Sequence, residues 1–175
     1  MAEMDLQTVY AGYPRALAAL PPAVLEEGAY RVRYARSVND LEAVLRLRFE
    51  VFNRELGEGL ASSWETGRDE DEFDPFCHHL MVEHVESGEV IGTYRIQTAE
   101  MATAGRGFYS ATEFDLAPLP AGVVAEAVEV GRACIHRDHR LRPVLFLLWK
   151  GLALAADPTT QFHRLLQTGL EEVLV

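Results

Sequence analysis

A carboxylate and a guanidinium, those of Glu129 and Arg132, lie close together in the apolar segment 127–135. A carboxylate in a partly dry strand can hold a cation and accept its proton, and a guanidinium can hold an anion. The odd separation places the two side chains on opposite faces of a regular strand. We therefore predict a β-bulge at Gly131, which would turn both towards one site and free a backbone N–H. The alternative for Glu129 is a structural ion pair with Arg132 or Arg95.

A second group of charged residues is suited to hold a small charged substrate. Asp69, Asp71 and Asp74 have the spacing D-x-D-x-x-D and could attract a cation. Arg48 and Arg95 carry planar forks suited to a carboxylate, so we predict all five as substrate-binding residues. The aspartates could instead form a solvated acidic loop or a weak calcium site. For Arg48, the alternative is a stem along the surface with its charge in water.

A basic turn precedes the last strongly apolar segment. Arg137, Arg140 and Arg142 lie just before a predicted helix at 143–156. A helix N-terminus can hold a phosphate through its free N–H groups, and arginines add positive charge. The turn contains no glycine, so one phosphate fits better than a pyrophosphate. The alternative is an exposed basic turn without a ligand.

The elements that would position these residues follow from periodicity and turn signals. We predict an N-terminal arm at 1–29, a core domain at 30–156 and an amphipathic C-terminal helix at 157–175. In the core, strands are predicted at 30–35, 79–85, 90–98 and 127–135, helices at 37–56 and 143–156, a loop at 60–77 and an irregular excursion at 99–124. Ser37 and Asp40 are predicted to cap the first helix, and the Ser-Gly turn within 86–89 predicts an antiparallel hairpin. This order predicts an α/β (α+β) fold, a mostly antiparallel sheet flanked by helices.

Composition narrows the range of functions. The net charge of -11 argues against nucleic-acid binding, which needs a basic surface. No long apolar run predicts a membrane span, and no leader predicts export, so we expect a cytoplasmic protein. The two cysteines, Cys77 and Cys134, have no paired spacing, and no histidine or cysteine pair has zinc-ligand spacing. We therefore expect neither a disulfide framework nor a metal site.

Several sequence blocks, in the same order, resemble a known family. They are Leu47–Gly57, Asp69–Asp74, Gly92–Ile96 and Glu129–His136, with further agreement at Gly107–Leu116 and Arg142–Gly151. Together they resemble L-ornithine Nα-acyltransferases of ornithine-lipid synthesis, which belong to the GNAT superfamily and are related to acyl-homoserine-lactone synthases. The last two blocks favour the ornithine branch.

The resemblance implies transfer of a 3-hydroxyacyl chain from acyl carrier protein to the α-amino group of L-ornithine, giving lyso-ornithine lipid. Glu129 would then accept the amine proton, and a backbone N–H freed by the bulge would stabilise the thioester oxygen. Arg132, the second predicted catalytic residue, has a planar fork suited to a substrate carboxylate or to a buried acidic partner. The aspartates match acidic positions that shape the substrate site of the lactone synthases. No permanent cofactor is expected, because the acyl-phosphopantetheine arrives on the carrier, where Arg137, Arg140 and Arg142 would meet its phosphate.

The family pattern ends near residue 156. GNAT resemblance implies a further strand and a closing hairpin after this point, so we expect a truncated or divergent C-terminus with those strands missing. An exposed edge of the 127–135 strand would permit homodimerisation. Peripheral contact with the inner membrane, lactone synthesis from S-adenosylmethionine, and a noncatalytic binding fragment remain alternatives.

Overall fold

One antiparallel sheet with helices on both faces organises the described part of the chain. The computed structural model describes residue 8, residues 10–14 and residues 25–155, without the side chains of residues 154 and 155. The strands are β1 (Leu25–Glu27), β2 (Tyr30–Tyr34), β3 (His78–His84), β4 (Val90–Thr98) and β5 (Val128–Ile135), each antiparallel to the next. The helices are α1 (Val38–Arg48) with a π-helical continuation at Phe49–Glu55, α2 (Ser63–Thr66), α3 (Ala99–Ala104), α4 (Ser110–Glu113), α5 (Ala121–Ala125) and α6 (Arg142–Ala155). Turns of 3₁₀ helix lie at Asp74–Phe76 and Arg137–His139. The predicted fold class is confirmed.

Local signals explain where the main elements begin and end. The Ser37 side chain accepts a hydrogen bond from the Asp40 N–H at 3.1 Å, which is the predicted cap of α1. The predicted hairpin joins β3 to β4, and Gly88 in its turn has a φ of 71°, a conformation that glycine adopts without strain.

The sheet separates two apolar layers. Leu80 and Val82 on β3 belong to the layer that packs against α6, whereas Met81 belongs to the layer beneath α1, as strand alternation requires. Gly151 allows α6 to approach closely, since a Cβ there would lie 2.8 Å from both methyl groups of Leu80. The site described below lies on the α1 side of the sheet.

The N-terminal boundary differs from the prediction. Residues 25–27, assigned to an arm, form β1 and pair with β2, and Tyr10 and Tyr13 are buried in the layer beneath α1. The predicted helix at 157–175 lies outside the described residues. Within them the sheet ends at β5, and no helix has the length and apolar character needed to cross a membrane.

Candidate active site

Arg48, the last residue of α1, is the centre of a buried charge cluster. Its guanidinium donates hydrogen bonds to Asp69 at 2.7 and 3.0 Å and to Asp74 at 2.8 and 3.3 Å. All three side chains are fully buried. The alternative of an arginine with its charge in water is therefore wrong. The prediction that Arg48, Asp69 and Asp74 bind the substrate directly is also wrong, because solvent does not reach these side chains.

Arg95 joins the same cluster from β4. It donates to both oxygens of Asp71 at 2.6 and 2.7 Å and to Asp74 at 3.0 Å. Asp71 in turn accepts hydrogen bonds from the backbone N–H groups of Phe73 and Asp74, which shapes the acidic segment. The solvated acidic loop considered from the sequence is therefore wrong for these aspartates.

The electrostatics of the cluster are balanced rather than negative. Burial alone would raise the pKa of Asp74, but Arg48 and Arg95 hold that pKa below its usual range. His79 is fully buried beside Asp74, and burial lowers its pKa to about 4, so it is neutral at pH 7. With Arg132 at the edge, arginines and aspartates match in number. The cluster therefore stabilises the structure around the site and has no excess negative charge to attract a cationic substrate.

The predicted interruption of the β4–β5 ladder is present. Thr93 pairs with Cys134 and Arg95 pairs with Gly131, so Tyr94 faces two residues of β5 instead of one. This is a β-bulge. The strained residue is Arg132, with a φ of 48°, and not the predicted Gly131. The Arg132 side chain turns to the α1 side of the sheet, where its guanidinium lies 5.8 Å from the centre of the Phe52 ring and within 3.7 Å of Asp69.

Glu129 is held by a residue that the sequence did not single out. Its Oε1 accepts hydrogen bonds from the backbone N–H of Ser110 at 2.9 Å and from the Ser110 hydroxyl at 2.8 Å. Its Oε2 is buried and has no hydrogen-bond partner. The structural ion pair considered for Glu129 is absent among the described residues, because the partner of its carboxylate is a serine. One oxygen is fixed and the other is unoccupied.

A cavity of about 280 Å³ brings the predicted catalytic pair together. It is lined by Arg95, Gln97, Tyr109, Ser110, Glu129, Val130, Gly131 and Arg132. Glu129 therefore lies at a cleft and is not enclosed in the core. A carboxylate with an unoccupied oxygen, a guanidinium and the backbone of a bulge meet in one small polar space, which suits proton removal next to a developing negative charge.

A larger and mostly apolar cavity of about 650 Å³ lies on the other side of the bulge. Phe52 from the π-helix, Tyr94 and Trp149 line it, together with exposed Leu141 and Leu145 near the start of α6. Cys134 also lines it, and burial raises the pKa of that thiol to about 12. The cysteine is therefore uncharged at neutral pH and is a poor nucleophile. The space suits an apolar chain.

Comparison with known proteins identifies the family of this chain. A family model described as an acetyltransferase (GNAT) domain matches residues 47–150, which is more than half of the chain. The chain belongs to the GNAT family. No solved structure matches it.

The curated relatives of this GNAT chain carry one name. The chain is 36% identical over 131 residues to the L-ornithine N(alpha)-acyltransferase of Agrobacterium fabrum, and the match covers 71% of the chain and 45% of the relative. The chain is 36% identical over 131 residues to the protein of that name from Rhodobacter capsulatus, and the match covers 71% of the chain and 50% of the relative. It is 35% identical over 133 residues to the one from Brucella abortus, and that match covers 71% of the chain and 47% of the relative. The resemblance found in the sequence is confirmed, and the chain spans about half the length of the curated relatives it matches.

The basic turn of this GNAT domain is only partly available to a ligand. Arg140 makes a two-pronged ion pair with Glu55 at 2.7 Å on each side, and Arg137 and Arg142 are exposed. The backbone N–H groups of residues 144 and 145 donate to the Leu141 carbonyl, and the proline at position 143 has no N–H. A phosphate here would therefore depend on side chains more than on free helix amides. The role of the three arginines stays a prediction.

Two functional candidates were missed by sequence reasoning. Gln97 lines the small cavity and lies two positions after Arg95 on β4, so strand alternation places both on one face and could have identified it. Ser110 lies in the excursion at 99–124, where no periodicity indicates which side chains point inward. The family resemblance covers this segment at Gly107–Leu116, but it does not distinguish Ser110 from its neighbours.

Proposed function

We propose that this GNAT domain transfers a 3-hydroxyacyl chain from acyl carrier protein to the α-amino group of L-ornithine, giving lyso-ornithine lipid. The observation that carries the proposal is that Glu129 lines a cavity next to the bulge and has a carboxylate oxygen, Oε2, without a hydrogen-bond partner. The choice of L-ornithine as the acceptor amine comes from the names of the curated relatives.

Proton removal begins the proposed reaction. The α-ammonium of the substrate binds Oε2 of Glu129 and transfers one proton to it, while Ser110 holds Oε1 in place. The neutral amine then attacks the thioester carbonyl at the bulge. A C–N bond forms, the C–S bond breaks, the thiol of the phosphopantetheine leaves and a proton passes to solvent. We take the transfer to be direct, and burial raises the pKa of the Cys134 thiol to about 12, which makes that residue a poor nucleophile.

Charge on the carbonyl oxygen develops beside Arg132. The bulge leaves one residue of β5 outside the regular ladder, so its N–H can point at the oxyanion. The guanidinium of Arg132, whose side chain is 20% exposed, adds positive charge on the same side. Arg95, Asp71 and the buried trio around Arg48 hold the strands and loop that carry these groups.

The donor approaches from the apolar side in this scheme. The cavity of about 650 Å³ would hold the acyl chain or the pantetheine arm. The exposed side chains of Arg137 and Arg142 would meet the phosphate of that arm and the acidic surface of the carrier. Because Glu55 already neutralises Arg140, that residue instead fixes the turn against the π-helix.

Lipid analysis of cells that express this chain tests the proposal. We expect lyso-ornithine lipid with the wild-type sequence and its loss with Glu129→Gln, which keeps the size of the side chain and removes the base. Glu126→Gln is the matched control, because Glu126 lies just before β5 and is exposed. This variant should keep the product. Equal product from both variants would refute the role of Glu129.

An assay with purified protein separates the alternatives. With a 3-hydroxyacyl carrier as donor, we expect acylation of L-ornithine and none of S-adenosylmethionine. Product from S-adenosylmethionine alone would instead indicate lactone synthesis. Carrier binding without product from either amine would indicate a noncatalytic binding domain.

A further inference from the structure

Gln97 has a buried hydrogen-bond donor with nothing to bind. Its side chain is 3% exposed and it lines the small cavity. The amide nitrogen Nε2 has no hydrogen-bond partner. A buried donor without a partner is unfavourable, so such a group in a cavity indicates a ligand that completes it.

The unoccupied donor lies directly across the sheet from the unoccupied acceptor. Gln97 and Glu129 are partners in the β4–β5 register, and opposed residues of an antiparallel pair point to the same face with their Cβ atoms about 5 Å apart. A carboxylate oxygen and an amide N–H, each without a partner, therefore belong to neighbouring residues that both line the cavity. A ligand that satisfies both needs a donor and an acceptor a short distance apart.

The charges around the pair decide which end of the ligand lies where. Arg95 directs its Nη1 group at Asp71 and Asp74, with distances of 2.6 to 3.0 Å, whereas Arg132 contacts Asp69 and Asp71 only at 3.7 and 3.8 Å, beyond hydrogen-bonding distance. Arg132 is thus the guanidinium of the cavity that is less tightly paired with carboxylates, and its positive charge adds to the donor of Gln97 in attracting an anion.

We propose that Gln97 is a specificity-determining residue that binds the carboxylate of an α-amino acid while Glu129 binds the α-ammonium of the same molecule. The inference rests on the proposed function and adds to it a means of selection. An α-amino acid carries its ammonium and its carboxylate on one carbon, so the ammonium can bind the acceptor Glu129 while the carboxylate binds the donor Gln97 on the adjacent strand. A diamine of the same length has no carboxylate for Gln97 to bind.

Binding of L-ornithine and of putrescine, which is ornithine without its carboxylate, tests this inference without any acyl donor. By calorimetry, we expect the wild-type chain to bind L-ornithine at least about tenfold more tightly than putrescine. Gln97→Met, which keeps the length and removes the donor, should weaken L-ornithine binding about tenfold and leave putrescine unchanged. Gln97→Glu should reverse the preference, because a second carboxylate repels the substrate carboxylate and attracts a diamine.

The outcomes separate this inference from the proposed function. Equal wild-type affinity for the two amines, no binding of either, or an equal loss of both in Gln97→Met would overturn the role of Gln97. If Gln97→Met does not fold, the reversal in Gln97→Glu decides. A wild-type chain that prefers L-ornithine but transfers no acyl group would refute the proposed transfer and leave the carboxylate site standing.

Discussion

Replacing Arg48 by methionine should destabilise the protein far more than its position in one helix suggests. Arg48 donates to Asp69 at 2.7 and 3.0 Å and to Asp74 at 2.8 and 3.3 Å, and none of these side chains reaches solvent. In Arg48→Met, Asp74 keeps its hydrogen bond from Arg95 at 3.0 Å. Asp69 loses both of its hydrogen bonds from Arg48 and remains a buried charge.

The magnitude follows from that stranded charge. Removing one partner of a buried ion pair costs about 3–5 kcal/mol, against a total stability of roughly 5–15 kcal/mol for a typical domain. We therefore expect Arg48→Met to remove about 3–5 kcal/mol from the free energy of unfolding. Adding Asp69→Asn should recover part of this loss, because the uncompensated charge is then gone.

Urea denaturation of matched variants measures the effect. Arg46→Met is the control, since Arg46 lies on the same helix and makes an exposed ion pair with Glu42 at 2.6 Å. Such a pair contributes about 0.3–0.5 kcal/mol. If Arg48→Met and Arg46→Met differ by less than about 1 kcal/mol, a margin well below the expected cost of a buried pair, the cluster does not stabilise the fold as argued.

Three further predictions concern packing, positioning and pH. Gly151→Ala should destabilise the chain by about 1–3 kcal/mol in urea, because the new methyl group meets Leu80 at 2.8 Å, and an unchanged midpoint would contradict this packing. Ser110→Ala should lower kcat while the unfolding midpoint changes little, because only the hold on Glu129 is lost; an unaltered kcat would count against that hold. Burial lowers the pKa of His79 to about 4, so the unfolded chain binds more protons below pH ~6.5. His79 should therefore account for a fall in stability of up to about 3 kcal/mol from pH 7 to pH 4, and His78, whose pKa burial also lowers to about 4, should add to it. A flat profile in urea would refute neutral burial.

Pattern and turn chemistry predicted most of the sheet. The hairpin at 86–89 and the strand at 90–98 follow from local signals, namely a Ser-Gly turn and β-branched residues, and both are present. The break in β5 was predicted at a glycine, whereas the positive φ falls on Arg132. A sequence can indicate that a strand must bend without indicating which residue absorbs the bend.

The charge cluster could not be predicted from the sequence in its final form. The helical face of Arg48 pointed to the core, but its partners lie in a segment without periodicity. Local reasoning therefore predicted a substrate site, with an exposed arginine and a solvated loop as the alternatives. Long-range pairing of opposite charges depends on how the elements meet, and single-residue preferences do not contain that information.

The balance of charge in this cluster has a consequence for how the geometry of the proposed site arises during folding. Its members come from α1, the acidic loop, β4 and β5, and each would be an uncompensated charge if the others were absent. Partially assembled forms are therefore penalised, and the bulge should acquire its final shape only in the step that completes the domain. A failure of that step would leave both the fold and the proposed site unformed. Folding intermediates in which the site is only partly formed should therefore be scarcely populated.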